Sequence, residues 1–117
     1  MTRHYMRLRH DPFEAILCGR KSVEVRLYDE KRRKIRPGDE IEFTEEEGER
    51  RVLLVKVTGI RVFPGFKELY ESFPPEKLGY LPEAAQSAKY TDMEEYYSKE
   101  EQEKYGAVGI MIEMMNG

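Results

Sequence analysis

The chain has 117 residues, which is enough for one domain with a modest hydrophobic core and too few for two. Charged residues make up 37% of the sequence and hydrophobic residues 39%, a balance that predicts a small globular domain with a heavily charged surface. The apolar runs are far too short to cross a bilayer, and the single cysteine, Cys18, excludes an internal disulfide and a cysteine-rich zinc site. The N-terminal residues contain no apolar signal region. We therefore expect one domain, residues 1–117, with a cytoplasmic location and no membrane partner.

The net charge of −3 conceals an uneven distribution along the chain. Residues 3–36 hold eleven Lys or Arg against five Asp or Glu, a net of +6, whereas the remainder holds 9 against 18, a net of −9. A basic N-terminal third is typical of a protein that binds a polyanion, and the acidic remainder argues against nonspecific coating of nucleic acid. The distribution predicts a basic groove rather than a wholly basic face.

A strand and a short helix are predicted at the start of the chain. Polar and apolar residues alternate over residues 5–9, which predicts a strand. Asp11 is a suitable N-cap and Pro12 a suitable first helical residue, and Gly19 is a suitable stop, so the pattern predicts a helix of about two turns. Cys18 is expected to be buried beside the apolar face of this helix. That face consists of Phe13, Ile16 and Leu17.

The next segment predicts a second strand with two chemically different faces. In residues 23–27, two valines and a leucine alternate with Glu24 and Arg26, so the apolar and charged side chains point to opposite sides of a sheet. A turn at Pro37–Gly38–Asp39 then leads to a further strand over residues 40–43. One acid and several bases are therefore expected close together where the helix meets the second strand.

The rest of the chain predicts a hairpin, short helices and a final strand. Residues 44–49 predict a hairpin loop, and residues 50–63 a long strand in which Gly59 marks a bulge. Capping-box spacing occurs at Thr91 and Ser98 before a final alternating strand over residues 107–115. Helical spacing in between is shown by Phe66, Leu69, Tyr70 and Phe73. About five or six strands with short helices predict a mainly β member of the α+β class, with a curved sheet that closes into a barrel.

Two separated motifs resemble the ASCH domain, a member of the PUA-like superfamily. The first combines Gly19-x-Lys21-x-x-Glu24-x-Arg26 with Ile35-x-x-Gly38-Asp39-x-Ile41-x-Phe43. The second, in the tail, is Tyr97-Ser98-x-Glu100-Glu101-x-Glu103-x-Tyr105-Gly106-x-Val108-x-Ile110, and it is similar to the segment before the last strand of small prokaryotic ASCH proteins. The resemblance covers most of the chain. It implies a small PUA-like β-barrel that binds RNA or a nucleotide-derived ligand.

The leading candidate site is formed by Lys21, Glu24 and Arg26. Arg26 can grip phosphate with two hydrogen bonds, Lys21 can supply a compact positive charge, and Glu24 can accept hydrogen bonds from an exocyclic amine. The alternative is an ordinary set of surface ion pairs. Tyr28 can stack on a base, as aromatic side chains do in proteins that bind single strands. The other candidate ligand-binding residues are Arg20, Ser22, Arg32 and Arg33.

Catalysis is an alternative that the resemblance raises. Some small ASCH proteins remove the acetyl group from acetylated cytidine with a lysine, a threonine nucleophile and a glutamate. Lys21 matches the lysine, but Glu24 stands at the threonine position, and Ser22 is the nearest hydroxyl. Lys21 and Glu24 are thus the candidate catalytic residues of a hydrolase or, alternatively, a ribonuclease. The position of the subgroup's glutamate is open between Glu68, Glu71 and Glu76. A third alternative is a protein interaction module.

The remaining polar and aromatic residues carry weaker signals. His4 and His10 lack metal-ligand spacing, so we expect neither a metal nor another cofactor. We assign a further group of tyrosines to packing between helices and barrel. These are Tyr70, Tyr80, Tyr96, Tyr97 and Tyr105.

Overall fold

The computed structural model describes residues 1–115, so the predicted domain extends two residues beyond the described part. The strands are β1 (Arg3–Leu8), β2 (Val23–Leu27), β3 (Glu40–Glu45), β4 (Val52–Phe63) and β5 (Ala107–Met114). The α-helices are α1 (His10–Leu17), α2 (Phe66–Ser72) and α3 (Lys99–Tyr105). Short 3₁₀ helices of one or two turns span Arg32–Lys34, Pro75–Leu78, Pro82–Ser87 and Tyr90–Glu95. Within these residues no helix has the length and apolar character needed to cross a bilayer.

The five strands form one sheet in the order β1-β3-β4-β5-β2. β1 is parallel to β3, and the other neighbouring pairs are antiparallel. The sheet curls into a half-barrel, which confirms the predicted α+β, barrel-type fold. The predicted bulge is confirmed as well, because the register of β4 on β5 shifts between Val57 and Gly59. A Cβ atom at Gly59 would lie 2.8 Å from the terminal methyl group of Met111, which would have to move aside.

Side chains bridge the two edge strands of the half-barrel. β1 and β2 stand at opposite ends of the strand order. The Lys31 Nζ donates a hydrogen bond of 2.7 Å to the carbonyl of Tyr5. The Arg26 guanidinium, from β2, donates one of 2.8 Å to the carbonyl of Arg7 in β1. Two cationic side chains therefore satisfy the outer carbonyls of β1 where a further strand would otherwise pair.

Two apolar clusters provide the core. The larger one fills the half-barrel and packs against α1; its members are Met6, Leu8, Phe13, Ile16, Ile35, Ile41, Phe43, Leu53, Val55, Val57, Val108, Ile110 and Ile112. The smaller one packs α2 and the 3₁₀ segments against β2 and β5; its members are Val23, Val25, Leu27, Phe66, Leu69, Phe73, Leu78, Met93 and Ala107. The apolar face of β2 is thus buried in the second cluster. Its alternation leaves Glu24 and Arg26 on the other face.

The first helix differs from the prediction in its start and its buried face. It begins at His10 with Arg9 at the N-cap, so Asp11 lies inside the first turn. Leu17 is 40% exposed and Cys18 is also exposed, so the expectation that both pack in the core is wrong. The buried face of the helix includes Ala15. The chain that follows the helix turns back and bonds to the carbonyl of that residue. Leu17 and Cys18 are thereby left at the outer margin of the turn.

Candidate functional site

A tight corner between α1 and β2 places the side chain of Lys21. Gly19 has a φ of +83°, a left-handed conformation that glycine adopts without strain. The Lys21 N–H then donates a hydrogen bond of 2.9 Å to the Ala15 carbonyl, and the Ser22 N–H donates one of 3.0 Å to the Lys77 carbonyl. The corner is therefore bonded both to its own helix and to a segment more than fifty residues further along the chain. Lys21 is fixed at the base of β2 by these bonds.

Lys21, Glu24 and Arg26 form a bonded triad on the inner side of β2. Glu24 is 4% exposed and Lys21 is 8% exposed. The Lys21 Nζ lies 3.3 Å from Glu24 Oε1 and also donates a hydrogen bond of 2.8 Å to the Leu78 carbonyl. The Arg26 Nε donates one of 2.8 Å to Glu24 Oε2. The structure thus brings together the three residues of the leading sequence hypothesis.

Glu24 and Arg26 hold each other in the ionised form. Burial opposes ionisation of Glu24, but the positive charges of Arg26 and Lys21 and their hydrogen bonds outweigh it and keep the pKa of the carboxyl below its ordinary value. Burial also acts against the Arg26 guanidinium, but Glu24 raises its pKa. Two cations and one anion leave a net charge of +1 in a site shielded from solvent. Such a charge favours an anionic or electron-rich group beside it.

The triad lines a cavity of about 840 Å³. Its charged rim includes Arg7, Arg9 and Arg20, and the Arg20 guanidinium is anchored by a hydrogen bond of 2.6 Å to the Gly79 carbonyl. Gly79 has a φ of +105°, and a Cβ there would lie 3.1 Å from the Lys21 side chain. This glycine therefore allows the segment that contains Leu78 to approach the triad closely.

Tyrosines also form part of the cavity wall. Tyr70, Tyr80, Tyr96 and Tyr97 line it, although the sequence assigned all four to packing. The assignment is correct in part, because Tyr97 stacks on Phe66 with ring centroids 5.8 Å apart. Tyr96 is half exposed, with the Arg9 guanidinium 4.8 Å from its ring centroid. The sequence signal for this wall is weak, since the segment consists mostly of short 3₁₀ turns without a regular period.

The other predicted site residues lie elsewhere. Among residues 1–115, the cavity lining does not include Ser22, Tyr28, Arg32 or Arg33. Arg33 packs over the Tyr28 ring at 4.4 Å, and Arg32 pairs with Asp29 at 2.8 Å. The three glutamates left open in the sequence, Glu68, Glu71 and Glu76, are also outside the lining. Acidic residues that do line the cavity are Asp11, Glu14, Glu46, Asp92 and Glu95.

Both histidines are paired with carboxylates. His4 Nε2 lies 2.8 Å from Asp39 Oδ2. His10 Nδ1 lies 2.8 Å from Glu45 Oε2, and potential ligand atoms of His10, Glu14 and Glu45 fall within 4.8 Å of one another. The Arg51 guanidinium already pairs with both of these glutamates, however. The cluster therefore already contains one cationic side chain, and the expectation of no metal stays a prediction.

A family profile described as "ASCH domain" matches residues 6–116. The fold is similar to the crystal structure of hypothetical protein PH0355, with 40% identity, coverage of 98% of this chain and 100% of that one, and a TM-score of 0.80. It is also similar to the NMR structure of protein PF0455 from Pyrococcus furiosus, with 37% identity, coverage of 98% and 99%, and a TM-score of 0.66.

A more distant similarity extends to a mutant of ZmASCH from Zymomonas mobilis. It shares 18% identity, covers 94% of this chain and 66% of that one, and has a TM-score of 0.64. At this identity the similarity shows a common fold alone. No curated protein matches the sequence significantly.

Proposed function

Because the chain belongs to the ASCH domain family, which is associated with nucleic acids, we propose that it binds RNA or a nucleotide-derived ligand in the cavity beside β2. The observation that carries the proposal is the buried Lys21–Glu24–Arg26 triad, because its net positive charge faces a cavity of about 840 Å³, which is large enough to hold a mononucleotide. Phosphate and carbonyl oxygens are the ligand atoms that such a surface attracts. A cytoplasmic location fits the free, exposed Cys18.

The donor inventory of the triad supports this assignment. The ammonium of Lys21 has three protons, of which the bonds to Glu24 and Leu78 use two. The Nε and one terminal nitrogen of Arg26 are directed at Glu24 and at the Arg7 carbonyl. The remaining donors of both side chains are free to serve a ligand. The triad therefore offers hydrogen-bond donors to whatever enters the cavity.

The contacts of Glu24 support a different role from the one expected on sequence. Its Oε1 atom is approached by Lys21 and by the Val25 N–H, and its Oε2 atom accepts from Arg26. A carboxylate with these partners has little capacity left to accept from an exocyclic amine. We propose that Glu24 positions the two cations and that Lys21, Arg26 and Arg20 contact the ligand.

Hydrolysis remains the second candidate, and the triad geometry argues against it. A lysine that acts as general base must give up its proton near neutral pH. The Lys21 Nζ instead lies 3.3 Å from Glu24 Oε1 and donates a hydrogen bond to the Leu78 carbonyl, so it is engaged as a donor at both contacts. We therefore propose a binding protein in which Lys21 is a fixed cation.

Isothermal titration with cytidine, uridine, adenosine and guanosine 5′-monophosphates tests the proposal. We expect saturable binding that Arg7→Ala weakens about three- to tenfold, since this exposed arginine lines the cavity. The matched control is Arg50→Ala, which removes an exposed arginine from the hairpin between β3 and β4. Absence of binding by all four nucleotides, or equal losses in both variants, would overturn the proposal.

A further inference from the structure

A chain of hydrogen bonds crosses the tyrosine wall of the cavity. The hydroxyls of Tyr70 and Tyr80 lie 2.9 Å apart. The Tyr80 hydroxyl donates a hydrogen bond of 2.7 Å to Asp92 Oδ2. All three residues line the same cavity as the triad. The sequence hypothesis did not include this chain in the site.

The carboxylate at the end fixes the direction of the chain. An ionised carboxylate only accepts hydrogen bonds, so the single Tyr80 proton is committed to Asp92. Burial and the hydrogen bonds to Tyr70 and Asp92 raise the pKa of Tyr80, which keeps that proton on the phenol. The Tyr80 oxygen must then accept from Tyr70. The Tyr70 proton is used in turn, and its oxygen retains only lone pairs for a ligand.

We infer that Tyr70, oriented through Tyr80 by Asp92, is a specificity-determining acceptor that selects ligands carrying a hydrogen-bond donor where they meet the tyrosines of the cavity wall. This inference rests on the proposed function. The triad offers donors and the Tyr70 oxygen offers an acceptor, so the cavity is polarised. A base with an exocyclic amine is favoured over an otherwise similar base with an oxo group at the same position, because two acceptors facing each other repel.

The segment that connects the two sides of the cavity supports a fixed geometry. The Leu78 carbonyl accepts from Lys21, the Gly79 carbonyl accepts from Arg20, and Tyr80 follows directly. The acceptor wall is therefore attached to the donor side by three consecutive residues. The Tyr70 and Tyr80 rings also pack edge to face, with centroids 6.2 Å apart.

The test compares amino and oxo nucleotides of nearly equal shape. We expect wild-type protein to bind AMP over IMP, and CMP over UMP, by about tenfold, since one hydrogen bond and one repulsive pairing distinguish them. Tyr70→Phe should reduce both ratios to about one through weaker binding of the amino member. Tyr80→Phe frees the Tyr70 proton to donate, and should reduce the ratios through tighter binding of the oxo member.

The control is Tyr105→Phe, a tyrosine outside the cavity lining among the described residues, which should leave both ratios unchanged. Ratios near one in the wild type, or ratios that survive Tyr70→Phe, would overturn the inference while nucleotide binding itself stood. Absence of binding by all four nucleotides would overturn the inference together with the proposed function. Both tyrosine variants retain the ring, so a folded protein is expected and is checked by circular dichroism.

Discussion

Two of the buried glutamates in the described residues, Glu24 and Glu45, are each held between two basic side chains, and of these two only Glu24 lines the cavity. Glu24 lies between Lys21 and Arg26 and is part of the cavity lining. Glu45 is 1% exposed, pairs with Arg51 and His10, and does not itself line the cavity in the described part of the chain. The two arrangements share one bonding pattern, in which a buried carboxylate is bonded to two basic side chains.

Their charge balance and connections differ. The Glu24 cluster has an excess of one positive charge and retains unused donors. In the Glu45 cluster, Arg51 is shared with a second acid, Glu14, so the negative charges equal or outnumber the positive ones. Its bonds tie the β3–β4 hairpin to the start of α1. A buried carboxylate alone therefore does not mark a site; the unused donors beside it and the space in front of it do.

Removal of Glu24 should have the largest effect on stability. Glu24→Ala leaves Lys21 and Arg26 buried without their counter-charge, which costs about 3–5 kcal/mol of unfolding free energy. Denaturant titration measures the loss. The control, Glu49→Ala, removes an exposed glutamate from the hairpin loop and should change stability little. A small loss in Glu24→Ala would mean that water or rearrangement compensates the two cations.

Removal of Glu45 should lower the free energy of unfolding by less than removal of Glu24. The effect should be visible in the acid-unfolding curve. Hydrogen bonds from Arg51 lower the pKa of Glu45, against the effect of burial, to about 2 from an ordinary 4.5. Its folded-state pKa is depressed, so its contribution is complete above 4.5 and disappears as the pH falls towards about 2. Glu45→Gln should therefore lose stability at neutral pH and unfold less steeply in acid. Parallel acid-unfolding curves for the two proteins would contradict this account.

The salt dependence of RNA binding should distinguish contacts made in the cavity from contacts made by the basic loop that contains Arg32 and Arg33. If Arg32 and Arg33 bind the backbone of a longer RNA, replacing both by alanine should reduce the slope of log K against log salt by about 0.7 for each phosphate that is no longer neutralised. Mononucleotide binding should be unaffected, because neither arginine lines the cavity in the described residues. An unchanged slope would leave this loop as ordinary surface.

The smallest expected effect is a gain of activity. We expect little or no hydrolysis of acetylated cytidine by the wild type, because Glu24 holds Lys21 as an ion pair at 3.3 Å. Glu24→Thr removes the counter-charge and supplies a hydroxyl, so weak turnover is expected in a folded preparation, whereas Glu24→Gln supplies no nucleophile. Chromatography of released cytidine measures both. Robust wild-type hydrolysis that persists in Glu24→Ala would contradict the fixed-cation role of Lys21.

The sequence predicted features that depend on neighbouring residues. The two faces of β2 follow from alternation, and the bulge at Gly59 follows from glycine inside a strand. Closure of the cavity depends instead on distant pairs. Lys21 meets a carbonyl 57 residues away, and Tyr80 meets Asp92 across two irregular turns. No local period encodes such pairs, so the tyrosine wall was assigned to packing.

The bond between Arg26 and the Arg7 carbonyl also bears on how copies of this protein behave together. An uncovered strand edge is a template for pairing with another chain, and here Arg26 and Lys31 occupy the outer carbonyls of β1. The guanidinium that balances Glu24 therefore also guards against intermolecular sheet extension. The side chain that lines the cavity therefore also covers a strand edge, so a substitution of Arg26 would uncover the Arg7 carbonyl at the same time as it altered the triad.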